Sequence, residues 1–395
     1  MAQYPLAPVA VAGLDSLPGF APSVARIDLA EFRNYTALRL ELAGRPVVLT
    51  GPNGAGKTNL LEALSFLSPG RGLRRARLGE VTRQGAPSRA WAVAVRLATS
   101  TGSVDLGTGL GAGNEDEGER RLVRVDGQPA SGPAVLTDHL CLAWLTPQMD
   151  RLFIESAGGR RRFLDRLVYG FDPDHARRVA AFERAMRDRN RLLERGGDGE
   201  WLAAQEETMA EHAVAVAAAR RDGVARLGAA LRQSAGPFPR ADIAVDGLLE
   251  TWLDEMPASA VEDRYRAALA AGRPRDAAAG LTLEGPHRAD FLVRHAAKDQ
   301  AAEFCSTGEQ KALLIAIVLA NARLVAARRG IAPILLLDEV VAHLDQARRA
   351  ALFDEICTLG AQAWLTGTDA ALFAELRDRA EFFTVRDGTV AADLS

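Results

Sequence analysis

Residues 24–50, VARIDLAEFRNYTALRLELAGRPVVLT, alternate apolar and polar side chains in two runs that flank EFRNYT. Successive side chains of a strand point to opposite faces, so this period of two predicts a half-buried hairpin, its second run ending in the apolar PVVLT. GPNGAGKTNLLEALSFL follows as a glycine-rich turn opening a helix, and residues 89–97, 103–110 and 120–126 read as further strands. Between the last two, GLGAGNEDEGE reads as a surface loop, and CLAWLTPQMDRLF as a buried strand running into a loop. From about 155 to 235 β-branched residues become sparse and apolar positions take helical spacing, as at Phe163, Leu164, Leu167 and Val168. RGGDGE at 195–200 breaks this region into long antiparallel helices, with the look of a short coiled-coil arm. ADIAVDGLL predicts a strand and 258–271 a helix, and the sheet pattern returns at LTLEGPHRADFLVRH. A long apolar helix after CSTGEQ, the strands in APILLLDEVVAHLD and QAWLTGTD, and a β pair at 381–392 complete the chain.

The pattern predicts an α/β nucleotide-binding head split by a helical insert: 24–150 as its first half, 151–280 as the insert, 281–395 as its second half. No internal repeat is present. A length of 395 residues, with 48% hydrophobic and 25% charged residues, suits a soluble protein of two or three domains. The net charge of -3 argues against a uniformly basic DNA-coating protein but leaves room for a local basic face. Cys141, Cys305 and Cys357 are odd in number and far apart, which fits reduced thiols and no zinc site. The first twenty-odd residues lack a basic start and carry prolines, so they read as a flexible leader rather than a signal peptide. Apolar runs look too short, or too interrupted by arginine, to span a bilayer, and the expected location is the cytoplasm. Lysine occurs only at 57, 298 and 311.

That scarcity makes Lys57 conspicuous. Gly51-Pro52-Asn53-Gly54-Ala55-Gly56-Lys57-Thr58 matches G-x-x-x-x-G-K-[ST] in full, after an apolar strand and before a helix. Glycines let backbone N–H groups converge on phosphates, and the helix N-terminus adds positive partial charge. Lys57 is placed to neutralise β- and γ-phosphates, and Thr58 to offer a hydroxyl to Mg²⁺. In ILLLDEVVAHLD, Asp338 ends a buried strand, where α/β sheets bind ligands, and is placed to hold Mg²⁺ through water. Glu339 follows directly, placed to polarise an attacking water.

Ser306-Thr307-Gly308-Glu309 opens the apolar helix, and Ser306 with Glu309 makes a capping box. The order of features carries a second meaning: cradle, Gln148 in a loop, helical insert, S-x-G, Asp-Glu, then HLD. This order resembles the ATP-binding-cassette heads of the SMC and double-strand-break-repair class. The resemblance implies that Ser306 and Gly308 complete the nucleotide site of a second protomer, and that Gln148 serves metal and water. Thr307 and Glu309 depart from the usual S-G-G-Q. Transporter cassettes carry a switch histidine where WLTGTD has Thr366 and Thr368, so no γ-phosphate sensor is assigned.

Within this class the chain is similar to the RecF family of bacterial recombination mediators, on EFRNY (31–35), SPGRGLRRARLGEV (68–81), GGRRRFLDRL (158–167), LEGPHRADF (283–291) and CSTGEQKALLIAIVLANARLV (305–325). The matches run from about 26 to 385. They imply a weak, DNA-stimulated ATPase that dimerises on ATP and binds double-stranded, gapped or junction DNA. They also imply work with RecR and RecO to place RecA on single strands. Arg71, Arg74, Arg75 and Arg77 are the favoured DNA contacts, since no acid lies near them until Glu80. For Arg160–Arg162 and Arg187, Arg189 and Arg191, phosphate contacts and solvated helix faces remain equal alternatives. His287-Arg288 could meet nucleotide or DNA, or structure a turn. The rival classes are an SMC-like DNA organiser, a transporter ATPase, and a P-loop ATPase or phosphotransferase acting on a small substrate.

Overall fold

A computed structural model describes residues 22–111 and 120–393; the expected leader and most of the acidic loop lie outside these residues. The chain opens with β1 (Ser23–Phe32), β2 (Tyr35–Glu41), β3 (Val47–Thr50), α1 (Lys57–Ser65), α2 (Leu78–Val81), β4 (Trp91–Thr99), β5 (Gly102–Leu110), β6 (Arg121–Val125), β7 (Gln128–Pro129) and β8 (Leu142–Leu145). Then come α3 (Ala157–Tyr169), α4 (His175–Glu194), α5 (Gly199–Gln233), β9 (Ala241–Asp246), α6 (Leu248–Glu255) and α7 (Ala258–Ala279). It closes with β10 (Asp290–His295), β11 (Gln300–Ala301), α8 (Thr307–Arg329), β12 (Ile334–Leu337), α9 (Gln346–Thr358), β13 (Ala363–Gly367), β14 (Glu381–Arg386) and β15 (Thr389–Ala392).

One sheet, ordered β2-β1-β4-β5-β6-β7, is antiparallel. A second, β15-β14-β3-β13-β12-β8, is parallel except for β15. A small antiparallel sheet, β11-β10-β9, is built from residues on either side of α6 and α7. Strands β3, β8, β12 and β13 are buried throughout, the near-continuous apolar runs of a parallel sheet covered on both faces. Helix α1 packs between β1 and β13, which joins the two large sheets.

Four expectations change. PVVLT does not extend the hairpin: Gly44 turns the chain at φ 81°, and β3 enters the parallel sheet instead of the antiparallel one. Leu248 and Leu249 start α6 rather than ending a strand, because Gly247 breaks the ladder and Leu249 turns into a helical core. Residues 281–289 form turns, and pairing begins only at Asp290. Helix α8 is long and apolar enough to cross a membrane, with a mean hydropathy of 1.6, contrary to the expectation of no such segment. It is 83% buried inside the protein, apolar all round because it is the head's central helix.

The insert is built on long helices that pack along one another around a core of their own. Helix α5, of 35 residues, packs against both α4 and α7. Phe182, Met209, Val214, Leu249, Val261, Tyr265 and Leu269 form a core separate from the head's. RGGDGE supplies the expected break between α4 and α5, with Asp198 capping α5 through the Glu200 N–H.

Candidate nucleotide site and its supports

Sheet register decides which residues meet. Thr50 pairs with Gly367, and Leu337 pairs with both Leu365 and Leu145. The loops that leave β3, β12, β13 and β8 therefore share one carboxyl edge, with β3 flanked by β13 and β14. This is where open parallel sheets bind ligands. The cradle needs its glycines for stated reasons. Gly51 has φ 144° and lies against the Val385 carbonyl, where a Cβ would clash. Gly56 has φ 120°, and a Cβ there would lie 2.6 Å from Asn34 Nδ2 and 2.7 Å from the Tyr35 hydroxyl. Gly54, at φ 81°, has open space before it.

Lys57 Nζ donates to the Gly51 and Pro52 carbonyls at 2.8 and 2.9 Å, arching back over the loop. Burial lowers its pKa, and the charges of Glu339 and Asp338 push the other way. A buried ammonium held among carbonyls fits a phosphate chain as its counter-ion. Lys57→Ala is expected to weaken nucleoside triphosphate binding at least tenfold, since a charge-assisted phosphate contact is worth about 1.5–3 kcal/mol. Calorimetric titration measures this, and an affinity within twofold of wild type would remove the cradle assignment.

The cradle is braced from behind by residues whose role was not evident from the sequence. Asn34 Nδ2 donates to the Ala55 carbonyl at 3.0 Å, and the Tyr35 hydroxyl to the Gly56 carbonyl at 3.1 Å. Asn59 Nδ2 donates to Asn34 Oδ1 at 2.7 Å. Arg33 holds Glu62 at 2.9 and 2.6 Å. The signal was present in EFRNY, a short polar hairpin tip that reads locally as a turn.

Asp338 is the centre of the edge. Its carboxylate accepts from the Thr58 hydroxyl at 2.9 Å and from the Thr366 hydroxyl at 2.7 Å. Thr366 also accepts the Glu339 N–H at 2.9 Å, through the same hydroxyl oxygen. Glu339 has φ 52°, unusual for a residue with a side chain, and is held there by this bond. Thr58 and Asp338 thus present two hard oxygen donors in contact, a set that suits Mg²⁺ completed by phosphate oxygens and water. Thr368 is exposed two residues further on. Gln148 is also exposed, three residues beyond Leu145, whose carbonyl accepts the Asp338 N–H.

The Ser306 loop forms the expected capping box. Glu309 Oε2 accepts from the Ser306 N–H at 3.0 Å and from its hydroxyl at 2.9 Å. Lys298 pairs with the other carboxylate oxygen. Lys298 first and Ser306 second hold the Glu309 carboxyl down to about 2. The unusual Glu at this position therefore has its charge matched by one of the chain's three lysines. Ser306 and Gly308 are exposed, and among the described residues no hydrogen bond joins residues 306–309 to 51–58. Phe304 beside them is 72% exposed.

Several arginines are turned to internal work. Arg74 donates to Glu62 at 2.8 Å and to Asn59 at 2.6 Å and so braces α1; Arg71, Arg75 and Arg77 are exposed. Arg160 grips Asp290 at 2.8 and 2.7 Å and Arg161 donates to the Ala289 carbonyl, tying α3 to β10. Arg189 is fully buried. His287 Nε2 meets the Thr282 carbonyl at 2.9 Å with its ring against Phe182, and burial lowers its pKa: it structures a turn, while Arg288 remains exposed.

The pattern of the RecF/RecN/SMC N-terminal domain matches residues 23–391. The DNA replication and repair protein RecF of Rhizobium etli (strain CIAT 652) is 53% identical over 371 residues, which cover 93% of this chain and 98% of that protein. The protein of the same name from Allorhizobium ampelinum is 55% identical, covering 92% and 97%. Among solved structures, the recombination mediator protein RecF-ATPrS in the RecFOR pathway superposes with a TM-score of 0.80 at 20% identity, covering 96% of this chain and all of that one. An Smc head domain from Pyrococcus furiosus gives 0.53 at 16% identity, covering 94% and 96%. These likenesses run along nearly the whole chain.

Proposed function

This chain belongs to the RecF family of DNA replication and repair proteins, and from that membership we propose that it is an ATP-dependent, DNA-binding switch of recombinational repair and replication restart. It binds ATP with Mg²⁺, dimerises on it and hydrolyses it weakly under stimulation by DNA. It engages gapped or junction duplex in the cytoplasm and, with RecR and RecO, promotes loading of RecA on single strands. Bound ATP with Mg²⁺ supplies the charge that joins two protomers and the phosphoanhydride whose loss separates them.

The residues divide the work. Gly51, Asn53, Gly54, Gly56 and Lys57 form the phosphate cradle. Thr58, Asp338 and Gln148 hold the metal. Glu339 is the general base, and one Thr366 hydroxyl holds the Asp338 carboxylate and the Glu339 backbone N–H. Ser306 and Gly308 serve the partner protomer's nucleotide. Arg71, Arg75 and Arg77 meet DNA phosphates.

The observation that carries this reading is the separation of two half-sites. The braced glycine-rich loop and Asp338 share one edge, while the charge-matched serine loop is exposed and, among the described residues, makes no hydrogen bond to residues 51–58. The shortness of the insert, whose longest helix has 35 residues, favours this over a long-armed DNA organiser. Ser306→Arg is expected to leave nucleotide binding by the monomer within about twofold, because the cradle is untouched, and to abolish ATP-dependent dimerisation and hydrolysis. Sedimentation with and without ATP measures it. Wild-type dimerisation would reduce the loop to a helix cap and sink the two-protomer site.

A further inference from the structure

Between the turn after α1, the loop at 131–134, β8, α3 and α4 lies a cavity of about 850 Å³, and none of its lining residues belongs to the cradle. Its wall includes Arg71, Arg75, Arg162, Arg166 and Arg184. None of these five makes an ion pair, or a hydrogen bond to oxygen, among the described residues. The other charged groups on the wall are Arg177, taken by Asp138 and Asp174; Asp165, taken by Arg220 and His175; and Glu183, 3.9 Å from Arg187. The balance is strongly positive in a cleft that opens to solvent.

Such a balance costs free energy unless an anion enters. Arg166 shows this most plainly. It is half-buried, its guanidinium lies 4.4 Å over the Trp144 ring, and its hydrogen-bond partner is the Met149 sulfur. Burial first, and then the charges of Arg162 and Arg75, lower its pKa to about 10. Arg162 is lowered by burial and by Arg75 and Arg161. Tyr169 also lines the space. The guanidinium fork matches phosphate oxygens bidentately, and several forks converging on one point suit a doubly charged terminal phosphate better than a singly charged diester. The volume falls in the range of small-ligand sites.

We propose that this cavity is a site for a terminal phosphate group, a phosphomonoester or polyphosphate end, gripped by Arg162, Arg166 and Arg184 and approached past Arg71 and Arg75. It deepens the DNA-binding reading where the group is the phosphorylated end of a strand at a gap. The same chemistry also fits a free polyphosphate, and that form does not depend on DNA binding.

The test uses the full chain carrying Lys57→Ala, so that the cradle does not contribute, with and without Arg162→Gln and Arg184→Gln. Both arginines are exposed on helices, so the variants should fold. Calorimetry with inorganic pyrophosphate should show binding that falls at least tenfold in the double-arginine variant. Fluorescence anisotropy, in the otherwise wild-type chain, compares gapped duplexes whose recessed strand ends in phosphate or in hydroxyl. A preference of about tenfold for the phosphorylated end, lost in the arginine variant while hydroxyl-ended DNA binds within twofold, assigns the site to strand ends. Pyrophosphate binding without that preference assigns it to a free polyphosphate, and holds even if DNA does not bind at all. Pyrophosphate and phosphorylated ends bound equally by both chains would overturn the proposal.

Discussion

Glu339→Gln is expected to slow ATP hydrolysis by about 10²- to 10⁴-fold, the usual contribution of a positioned general base, while nucleotide affinity holds or rises slightly. The substitution keeps the shape of the side chain and removes its capacity to take a proton. Nothing that holds Glu339 in place depends on its carboxylate: the φ of 52° is maintained by the backbone N–H bonded to Thr366. Asp338 keeps its bonds to Thr58 and Thr366, so metal ligation survives. Affinity should not fall, because Glu339 places a negative charge near Lys57 and the entering phosphates. The variant should therefore accumulate as an ATP-bound dimer. Asp338→Asn gives the contrast, since it weakens metal-dependent binding as well as hydrolysis. Single-turnover hydrolysis and sedimentation separate the two outcomes. A Glu339→Gln rate within threefold of wild type would move the base elsewhere, with Gln148 the next residue to change.

The parts of this site legible in the sequence are those built from contiguous residues with their own chemistry. The cradle is one loop, and the buried runs VVLT, ILLL, AWLTG and LAWL announce the strands that carry its neighbours. The capping box at Ser306 was legible for the same reason. What linear reading missed was pairing across the fold. Arg74 looks free of acids until Glu80, yet Glu62 lies one helix back and reaches it once the chain turns at 70–75. Thr366 reads as the loss of a histidine, and only the register of β12 against β13 shows it bonding Asp338. The helix at 248–255 was misread because two leucines after a strand look like more strand until Gly247 is seen to end the ladder.

Arg189 is the extreme case, and its replacement should be the most damaging single change to the insert. It sits on α4 among arginines that look like a solvated face, yet it is 0% exposed. Its guanidinium donates to Glu206 on α5 at 3.0 Å, to Asp276 on α7 at 2.8 Å, to the Thr282 hydroxyl at 2.9 Å and to the Leu269 carbonyl at 2.8 Å. Its bonds run from α4 to α5, to α7 twice and to the turn after α7, so this one side chain fixes how three helices meet. It also holds the turn that leads into β10, because Asp276 accepts the Leu283 N–H and the Thr282 carbonyl meets His287. The LEGPHRADF stretch is thereby tied to the arm on one side and, through Arg160 and Asp290, to α3 on the other. Arg189→Met keeps most of the volume and strands Asp276 without its cation, while Arg273 still holds Glu206 at 2.6 Å. Removing one partner of a buried ion pair costs about 3–5 kcal/mol. Hydrogen exchange of the α4, α5 and α7 amides should accelerate by about 10²-fold or more, with the parallel sheet much less affected. Adding Asp276→Asn should recover part of the loss, because the stranded charge goes with it. Exchange in α4, α5 and α7 at wild-type rates in the single variant would mean that helix packing alone holds the insert.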